Sequence, residues 1–414
     1  MSVSAPRAGE PRPTRKPRIL IIVENLPLPM DRRVMQEAMC LAEAGMEVRV
    51  ICPKSREFNK SYEKLSGIHI YRHWLPFDAS GAKGYLVEYS VALFWEFVLA
   101  AGIFLRHGFD VIQACNPPDL IFAVALPFKL FGVKFIFDHH DINPELYEVK
   151  FRRKGFFHRA LSLFERLTFR VADAVMSTTE SFKRIAIERG RVAPERVFVV
   201  RSVPDLTRFR RMNPLLELRK KRACVAGYVG IMGEQDGVEN FVRAIATLVN
   251  AGQTEIQAVI VGSGTDLDRL RTLATQLRMD EYITFTGYLS GITLLRAMST
   301  FDVGVIPDPK DVYNDKIAMN KVFEYMTLGI PFAMYDLAES GALAADAALK
   351  VAGTTPEDLA AAILRLVNEP ELRARMAEAG MARSRDLLNW EREAEHLLAA
   401  YRSVLSAKRF AIAE

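Results

Sequence analysis

One pattern in this sequence leaves few folds open: a strand–loop–helix–strand unit runs through the first half, stops, and starts again. "RILIIVEN" is an apolar run of strand length, followed by the Pro-rich "LPLPMD". "RRVMQEAMCLAEAG" carries helical patterning that ends at Gly45, and "EVRVICP" is a second strand. Strands alternating with helices dictate a parallel sheet with crossover connections. The series continues. "FDVIQACNPPD" and "VKFIFDHHD" are strands running into turns, and "ADAVMSTTESFKRIAIERG" is a strand and a helix stopped at Gly190.

Residues 201–222 break the series. They are basic, contain Pro204 and Pro214, and lack strand patterning, which makes them a linker. After them "CVAGYVGIMGE", "GVENFVRAIATLVNAG", "IQAVIVGSG" and "FDVGVIPD" restart it. At 414 residues the chain exceeds what one core usually organises, so two α/β units of the doubly wound type are expected. The boundaries read as an arm over 1–17, a first unit over 18–200, the linker over 201–222 and a second unit over 223–388. A final helix spans 389–410, with Asn389 as N-cap. Ligands of such sheets sit beyond the carboxyl ends of the strands, so the cleft between the units is the expected site.

Charge divides along the same line. Residues 1–222 hold 37 Lys and Arg against 24 Asp and Glu, a net of +13, and the remainder holds 18 against 26, a net of −8. A basic first half points to an anionic partner. The arm "MSVSAPRAGEPRPTRKPR" reads as disordered and has no apolar core of a secretory signal. The four cysteines are scattered, with no CxxC or Cys/His cluster, as in a reduced cytosolic protein without structural zinc. The most apolar run, residues 90–105, is shorter than the roughly 20 residues of a bilayer span and contains Glu96, so it reads as a buried or interfacial helix.

Five stretches can carry chemistry. "GYVGIMGEQDG" and "VGSGTDL" follow strands, and Gly230, Gly262 and Gly264 there allow backbone to approach a phosphate; such loops also serve merely as turns. "DKIAMNKVFEYMTLGIPF" reads as an amphipathic helix with Lys316 at its start and Asn320, Lys321 and Glu324 on one side. A carboxylate there can accept from a ribose diol and the lysines can stabilise a phosphate; a surface Lys321–Glu324 pair is the plain alternative. "FDHHDINPELY" places His139, His140, Asp141 and Glu145 at a strand end, where no more than one of the adjacent histidines faces the cleft. The segment 150–170 carries seven Lys and Arg with an apolar stripe of Phe157, Leu161, Phe164 and Leu167. It reads either as a helix packed on the sheet or as one lying on an anionic membrane.

The order and spacing of these stretches, with "STTESFKRIA" and "VGSGTDLDRLR", resemble the retaining glycosyltransferases of family 4, and the resemblance covers nearly the whole chain. It implies a GT-B fold: two Rossmann-like domains across a cleft, an acceptor held by the first, a nucleotide-sugar donor by the second, and a final helix crossing back. It implies no cofactor and no metal. Glu324 matches the second glutamate of the family's E-x7-E motif, which binds the donor ribose. His140 matches a histidine near the transferred sugar, and Gly230 and Gly262 match donor-loop positions.

The chain departs from the pattern in three places. Lys316 stands where the first motif glutamate belongs, with Asp315 one residue early; Ile231 and Asp236 stand where a diphosphate-binding Arg and Lys are common. Lys316, Lys321 and Arg201 are the candidate replacements. The catalytic assignment is therefore His140, Asp315 and Lys316; Gly230, Gly262, Gly264, Asn320, Lys321, Glu324 and Arg201 go to the donor. Arg32, Arg33, Lys150, Arg152 and Arg153 go to the acceptor or membrane side. The implied function is sugar transfer to a lipid-linked acceptor in bacterial surface polysaccharide assembly. The enzyme would act in the cytoplasm at an anionic membrane surface, with no nucleic acid partner. An inactive GT-B scaffold serving as a partner subunit and a nucleotide-sugar epimerase remain as alternatives.

Overall fold

The computed structural model describes residues 15–75 and 81–405. The first half builds one eight-stranded sheet in the order β3-β4-β2-β1-β5-β6-β7-β8. Its strands are β1 (Arg18–Ile22), β2 (Glu47–Pro53), β3 (Tyr62–Leu65), β4 (Ile68–His73), β5 (Val111–Cys115), β6 (Lys134–His139), β7 (Ala174–Ser177) and β8 (Val197–Val199). All neighbours pair in parallel except β3 with β4, an edge hairpin that the apolar patterning does not reveal.

The second half builds a six-stranded parallel sheet, β11-β10-β9-β12-β13-β14. These are β9 (Cys224–Val229), β10 (Ile256–Val261), β11 (Ile283–Gly287), β12 (Val303–Ile306), β13 (Phe332–Tyr335) and β14 (Ala348–Val351). Parallel strands covered on both faces must be apolar throughout, and β9, β10, β12 and β13 are buried at every position. The parallel strand order turns from falling to rising between β1 and β5 in the first sheet and between β9 and β12 in the second. Those switch points open the crevices where ligands bind.

The helices that position the first rim are α1 (Arg32–Glu43), α2 (Gly81–His107), α3 (Phe122–Lys129), α4 (Asn143–Phe151), α5 (Phe156–Val171) and α6 (Glu180–Glu188). Asp31 caps α1 through Val34 N (3.0 Å), and Thr179 caps α6 through Phe182 N (2.9 Å). The last helix, Trp390–Val404, is capped by Asn389, which accepts from Arg392 N at 3.0 Å. It returns to the first half, where Leu397, Ala400, Tyr401 and Leu405 join the core beneath β1 and α1. The arm before residue 15 and the expected helix end beyond 405 lie outside the described residues.

Three expectations change. The segment 201–222 is no free linker: Val203, Phe209, Leu215 and Leu218 pack on the second core, and Arg211 Nε donates to Leu328 O at 2.7 Å. The segment 150–170 is not one helix. Arg152, in left-handed backbone at φ 51°, ends α4, and Gly155 starts α5. The helix expected from Asp315 starts only at Asn320. Asn314–Lys316 is a 3₁₀ turn followed by extended Ile317 and Met319, and the helix proper is Asn320–Thr327. The extended residues are held from another segment: Ser340 Oγ donates to Ile317 O at 2.9 Å and accepts from Met319 N at 3.3 Å.

Candidate active site

In parallel sheets all carboxyl ends lie on one edge, and here the two edges are tied to each other. Across the cleft Tyr313 Oη donates to Asp141 Oδ1 (3.0 Å), and Lys316 Nζ meets Glu145 Oε1 (3.1 Å). Arg32 Nη2 meets Glu324 Oε1 (3.0 Å), and Thr179 Oγ1 donates to Lys316 O (3.1 Å). The Glu339 carboxylate accepts from the backbone N–H groups of Glu180 and Ser181, both at 3.1 Å, and from Ser181 Oγ at 2.7 Å. A carboxylate from the second half thereby caps the N-terminus of α6 in the first.

On the first rim β6 ends in two histidines that part company. His139 turns inward among Phe137, Phe169 and Phe182. His140 follows at the cleft edge, where its N–H and that of Asp141 donate to Asn116 Oδ1 at 2.7 and 3.2 Å. His140 Nε2 lies 2.8 Å from Asp138 Oδ2 and 2.9 Å from Arg33 Nε. One nitrogen cannot donate and accept at once, so these contacts compete. Burial would lower the imidazole, but Asp138 outweighs it and holds His140 above its ordinary value, which favours Nε2–H donating to Asp138. Burial would likewise raise Asp138, yet Arg33 and His140 hold it well below the usual carboxylate range.

The network runs deep. Gln113 Nε2 donates to Asp138 Oδ2 (2.8 Å) and Glu37 Oε2 (2.7 Å), and Tyr401 Oη from the returning helix donates to Gln113 Oε1 (2.5 Å). Burial pushes Glu37 up to about 8 despite Arg33 at 3.1 Å. Arg33, assigned from sequence to the acceptor or membrane side, is therefore a buried strut of this network. Cys115, Asp138 and His140 bring possible metal-ligating atoms within 4.8 Å, but Arg33 already supplies the positive charge there, 2.9 Å from Asp138 Oδ1. A cation among them would face the guanidinium.

On the second rim the Gly loops pack backbone to backbone. A Cβ on Gly262, at φ +138°, would stand 1.8 Å from Gly230 O, and one on Gly264 2.3 Å from Met232 O. Both glycines are demanded by loop packing, whatever else they approach. Ile231 projects into solvent beside them. Asp236 is not a cation site but a turn acid, accepting from Gly233 N at 2.8 Å.

Lys321 is buried. Its Nζ meets both oxygens of Asp308 (3.0 and 2.9 Å) and lies 4.9 Å from the Tyr228 ring centroid. The alternative of a Lys321–Glu324 surface pair does not form. Burial would lower the ammonium, but Asp308 and Asp236 hold it above its usual value; burial pushes Asp308 up to about 6 against the pull of Lys321. An ammonium has three N–H donors, and Asp308 occupies two.

The other assignments scatter. Asn320 is the first residue of its helix and is exposed. Lys316 is off the helix face and reaches Glu145; Asp315 Oδ1 accepts from Ala338 N at 2.7 Å, so it shapes the loop after β13. Arg201 is held by Glu393 of the returning helix, its N–H at 2.9 Å and its guanidinium at 3.2 Å, so it is a strap between segments and is removed from the donor cations. Lys150 and Arg153 are exposed, and Arg152 meets Glu234 at 3.5 Å. Arg152, Arg153 and Lys154 line an open cavity of about 530 Å³ with Asp311 and Val312.

Sequence reasoning missed Asn116, Gln113, Asp138, Tyr401 and Asp308. It also missed Glu24, which follows β1 at the first switch point and is pushed up to about 8 by burial. A signal existed for two of them: Gln113 and Asp138 are polar residues inside otherwise apolar strands, "VIQAC" and "KFIFDH".

Two Rossmann-like sheets with their switch points face to face, and a helix crossing back, define a GT-B glycosyltransferase. Residues 30–202 match the model of the glycosyl transferase 4-like domain and residues 223–369 that of the glycosyl transferases group 1, and the chain belongs to this glycosyltransferase group. It is similar to the 2-deoxystreptamine glucosyltransferase of Streptomyces kanamyceticus, 23% identical over 395 residues, covering 92% of this chain and 100% of that one. Its fold resembles sucrose-phosphate synthase from Thermosynechococcus elongatus (TM-score 0.74, 18% identity, 94% of this chain and 99% of that one). It also resembles Anabaena Alr3699/HepE in complex with UDP-glucose (TM-score 0.69, 15% identity, 93% and 99%).

Proposed function

We propose that this enzyme moves a sugar from a nucleotide-diphosphate sugar to a lipid-linked acceptor, with retention of configuration, in bacterial surface polysaccharide assembly. It would act in the cytoplasm, at the inner face of the plasma membrane. One observation carries the transfer reading: two switch-point crevices meet, with Glu324 on one rim and the Asp138-tethered His140 on the other. A similar fold occupied by UDP-glucose supports the donor class.

In this reading Glu324 exchanges Arg32 for the ribose diol. Lys316 and Arg32 keep exposed ammonium and guanidinium surface, and together with the third N–H of Lys321 they face the departing diphosphate. They replace the Arg/Lys pair whose positions hold Ile231 and Asp236. His140, oriented by Asp138 and Asn116, lines the sugar pocket. The acceptor hydroxyl attacks on the face the diphosphate leaves, because no enzymic nucleophile is assigned, and the bridged cleft excludes water. No metal or other cofactor enters these steps.

A second acceptor class has an observation in its favour. The full-length relative is named for glucosylation of 2-deoxystreptamine, and Glu24 offers a carboxyl group at the acceptor-side switch point. Purified enzyme is to be given a panel of nucleotide sugars, first alone and then with lipid-linked diphosphates or soluble aminocyclitols. Release of nucleoside diphosphate and the anomeric proton coupling of the product are followed by NMR. Release with one donor and an unchanged anomer on the lipid are expected. No release with any donor would sink the transfer reading, and product only on the soluble acceptor would replace the lipid one.

A further inference from the structure

Helix α2 is apolar on both its inward and its outward face. Its 27 residues lie on the first sheet against β2 and β4 and beside α3. Val87–His107 has mean hydropathy 1.6, yet only 22% of its apolar window is buried. The inward face holds Ala92, Ala100 and Ile103 with Glu96, whose carboxylate is fully buried. The outward face presents Val87, Phe94, Val98 and Leu105, flanked by Trp95 and Phe97; Phe94 is 60% and Leu105 85% exposed. A surface helix normally keeps its outward face polar.

The apolar surface continues beyond α2. Phe104 packs with tilted rings against Phe128 and Phe131 at the α3 end, where Leu130 and Phe131 are 87% and 72% exposed. From α3 it reaches α5, with Leu163, Phe157 and Phe156 exposed, and Phe156 adjoins the "RRK" segment that lines the cavity at the cleft mouth. An expanse of this extent calls for a cover.

We propose that this face, with α2 as its centre, docks into an anionic lipid surface, α2 lying in the interface plane. Charge selects the occupant. Arg106, Arg152, Arg153, Lys154, Arg159 and Arg166 are exposed around the apolar residues, and residues 150–170 beside them hold seven Lys and Arg against one Glu. Anionic headgroups match that rim, whereas a second copy placed face to face would bring two such rims together. Trp95 sits at the edge, where an aromatic ring suits the headgroup level. Spanning is excluded by packing: crossing would strip α2 from β2 and β4 and carry Glu96 into hydrocarbon. The inference deepens the lipid-acceptor reading by naming the surface, and it places the cavity lined by Arg152, Arg153 and Lys154 beside the bilayer.

The test compares the wild-type chain with Phe94→Asp/Val98→Asp/Leu105→Asp, three exposed positions whose change leaves the sheet packing intact. Vesicles of phosphatidylcholine with and without phosphatidylglycerol are sedimented with protein, and Trp emission is read against bromine-labelled acyl chains. Wild type should bind the anionic vesicles with bromine quenching, and the triple variant should bind at least tenfold more weakly. Both should release nucleoside diphosphate from the donor equally, which also certifies the variant's fold. Unchanged binding in the variant would overturn the proposal, as would a wild-type dimer that ignores vesicles and that the variant dissociates. Vesicle binding without any donor turnover would leave the docking face standing and remove the transferase mechanism instead.

Discussion

Replacing Lys321 tests how the second rim balances its charge. Lys321→Met removes the partner of Asp308, which is buried with both oxygens on that ammonium, and leaves Asp236 nearby. Breaking a buried pair by removing one member costs about 3–5 kcal/mol. For a domain of this size that is a fall of roughly 6–20 °C in Tm. The loss depends on pH with a definite sign. Asp308 already titrates near 6, above its usual 3.8, and loses the cation that pulled it down. The folded variant thus keeps a proton that the unfolded chain releases, and its stability falls as pH rises through that window. Thermal unfolding should show a larger deficit at pH 8 than at pH 5. Adding Asp308→Asn should restore most of the stability, since a buried pair can be exchanged for neutral groups at little cost. Transfer should nevertheless stay at least tenfold down, a loss of about 1.4 kcal/mol, because the third N–H of Lys321 is still missing. A single variant as stable as wild type at pH 8 would refute the charge argument. A double variant with full transfer would refute the donor role.

Glu324→Gln should leave the Tm nearly unchanged, because it keeps the volume of this buried side chain and the released partner Arg32 is 65% exposed and free to take up water. Its kcat/KM should drop by about 10- to 100-fold, the worth of one charged hydrogen bond; near-normal turnover would remove Glu324 from the donor site. Tyr401→Phe strips Gln113 Oε1 of its donor and should cost about 1–3 kcal/mol in chemical denaturation, with a variant of wild-type stability counting against the link from the returning helix to the Asp138 network. Glu96 has its carboxyl pushed up to about 8 by burial and by Glu24. Its contribution is present below about 4.5 and is lost as pH rises to 8, with a slope up to about 1.4 kcal/mol per pH unit. Glu96→Gln should therefore gain on wild type from pH 5 to pH 8, and parallel stability curves would show that Glu96 ionises normally.

Local pattern was enough to determine the two sheets, their parallel sense, the capped last helix and the rim on which Glu324 and His140 stand. Those follow from the periodicity of apolar residues and from turn and cap chemistry, which neighbours in sequence decide. The edge hairpin Tyr62–Leu65 with Ile68–His73 escaped because its exposed strand alternates too weakly to register. The break before Asn320 escaped because an amphipathic spacing does not report that Ile317 O and Met319 N are held by Ser340, more than twenty positions on.

What each charge does was decided only in three dimensions. Spacing alone left Lys321 open to pairing with Glu324 three residues on, but the strand end that carries Asp308 reaches it first. Glu324 instead finds Arg32 from 292 positions away, and Tyr401 finds Gln113 across 288. Such pairings depend on how two sheets are set edge to edge and on which groups lose water together. Burial and Coulomb attraction between distant segments leave no periodic trace in the chain, so the same lysine, arginine and histidine letters acquire their roles only when the cleft is assembled.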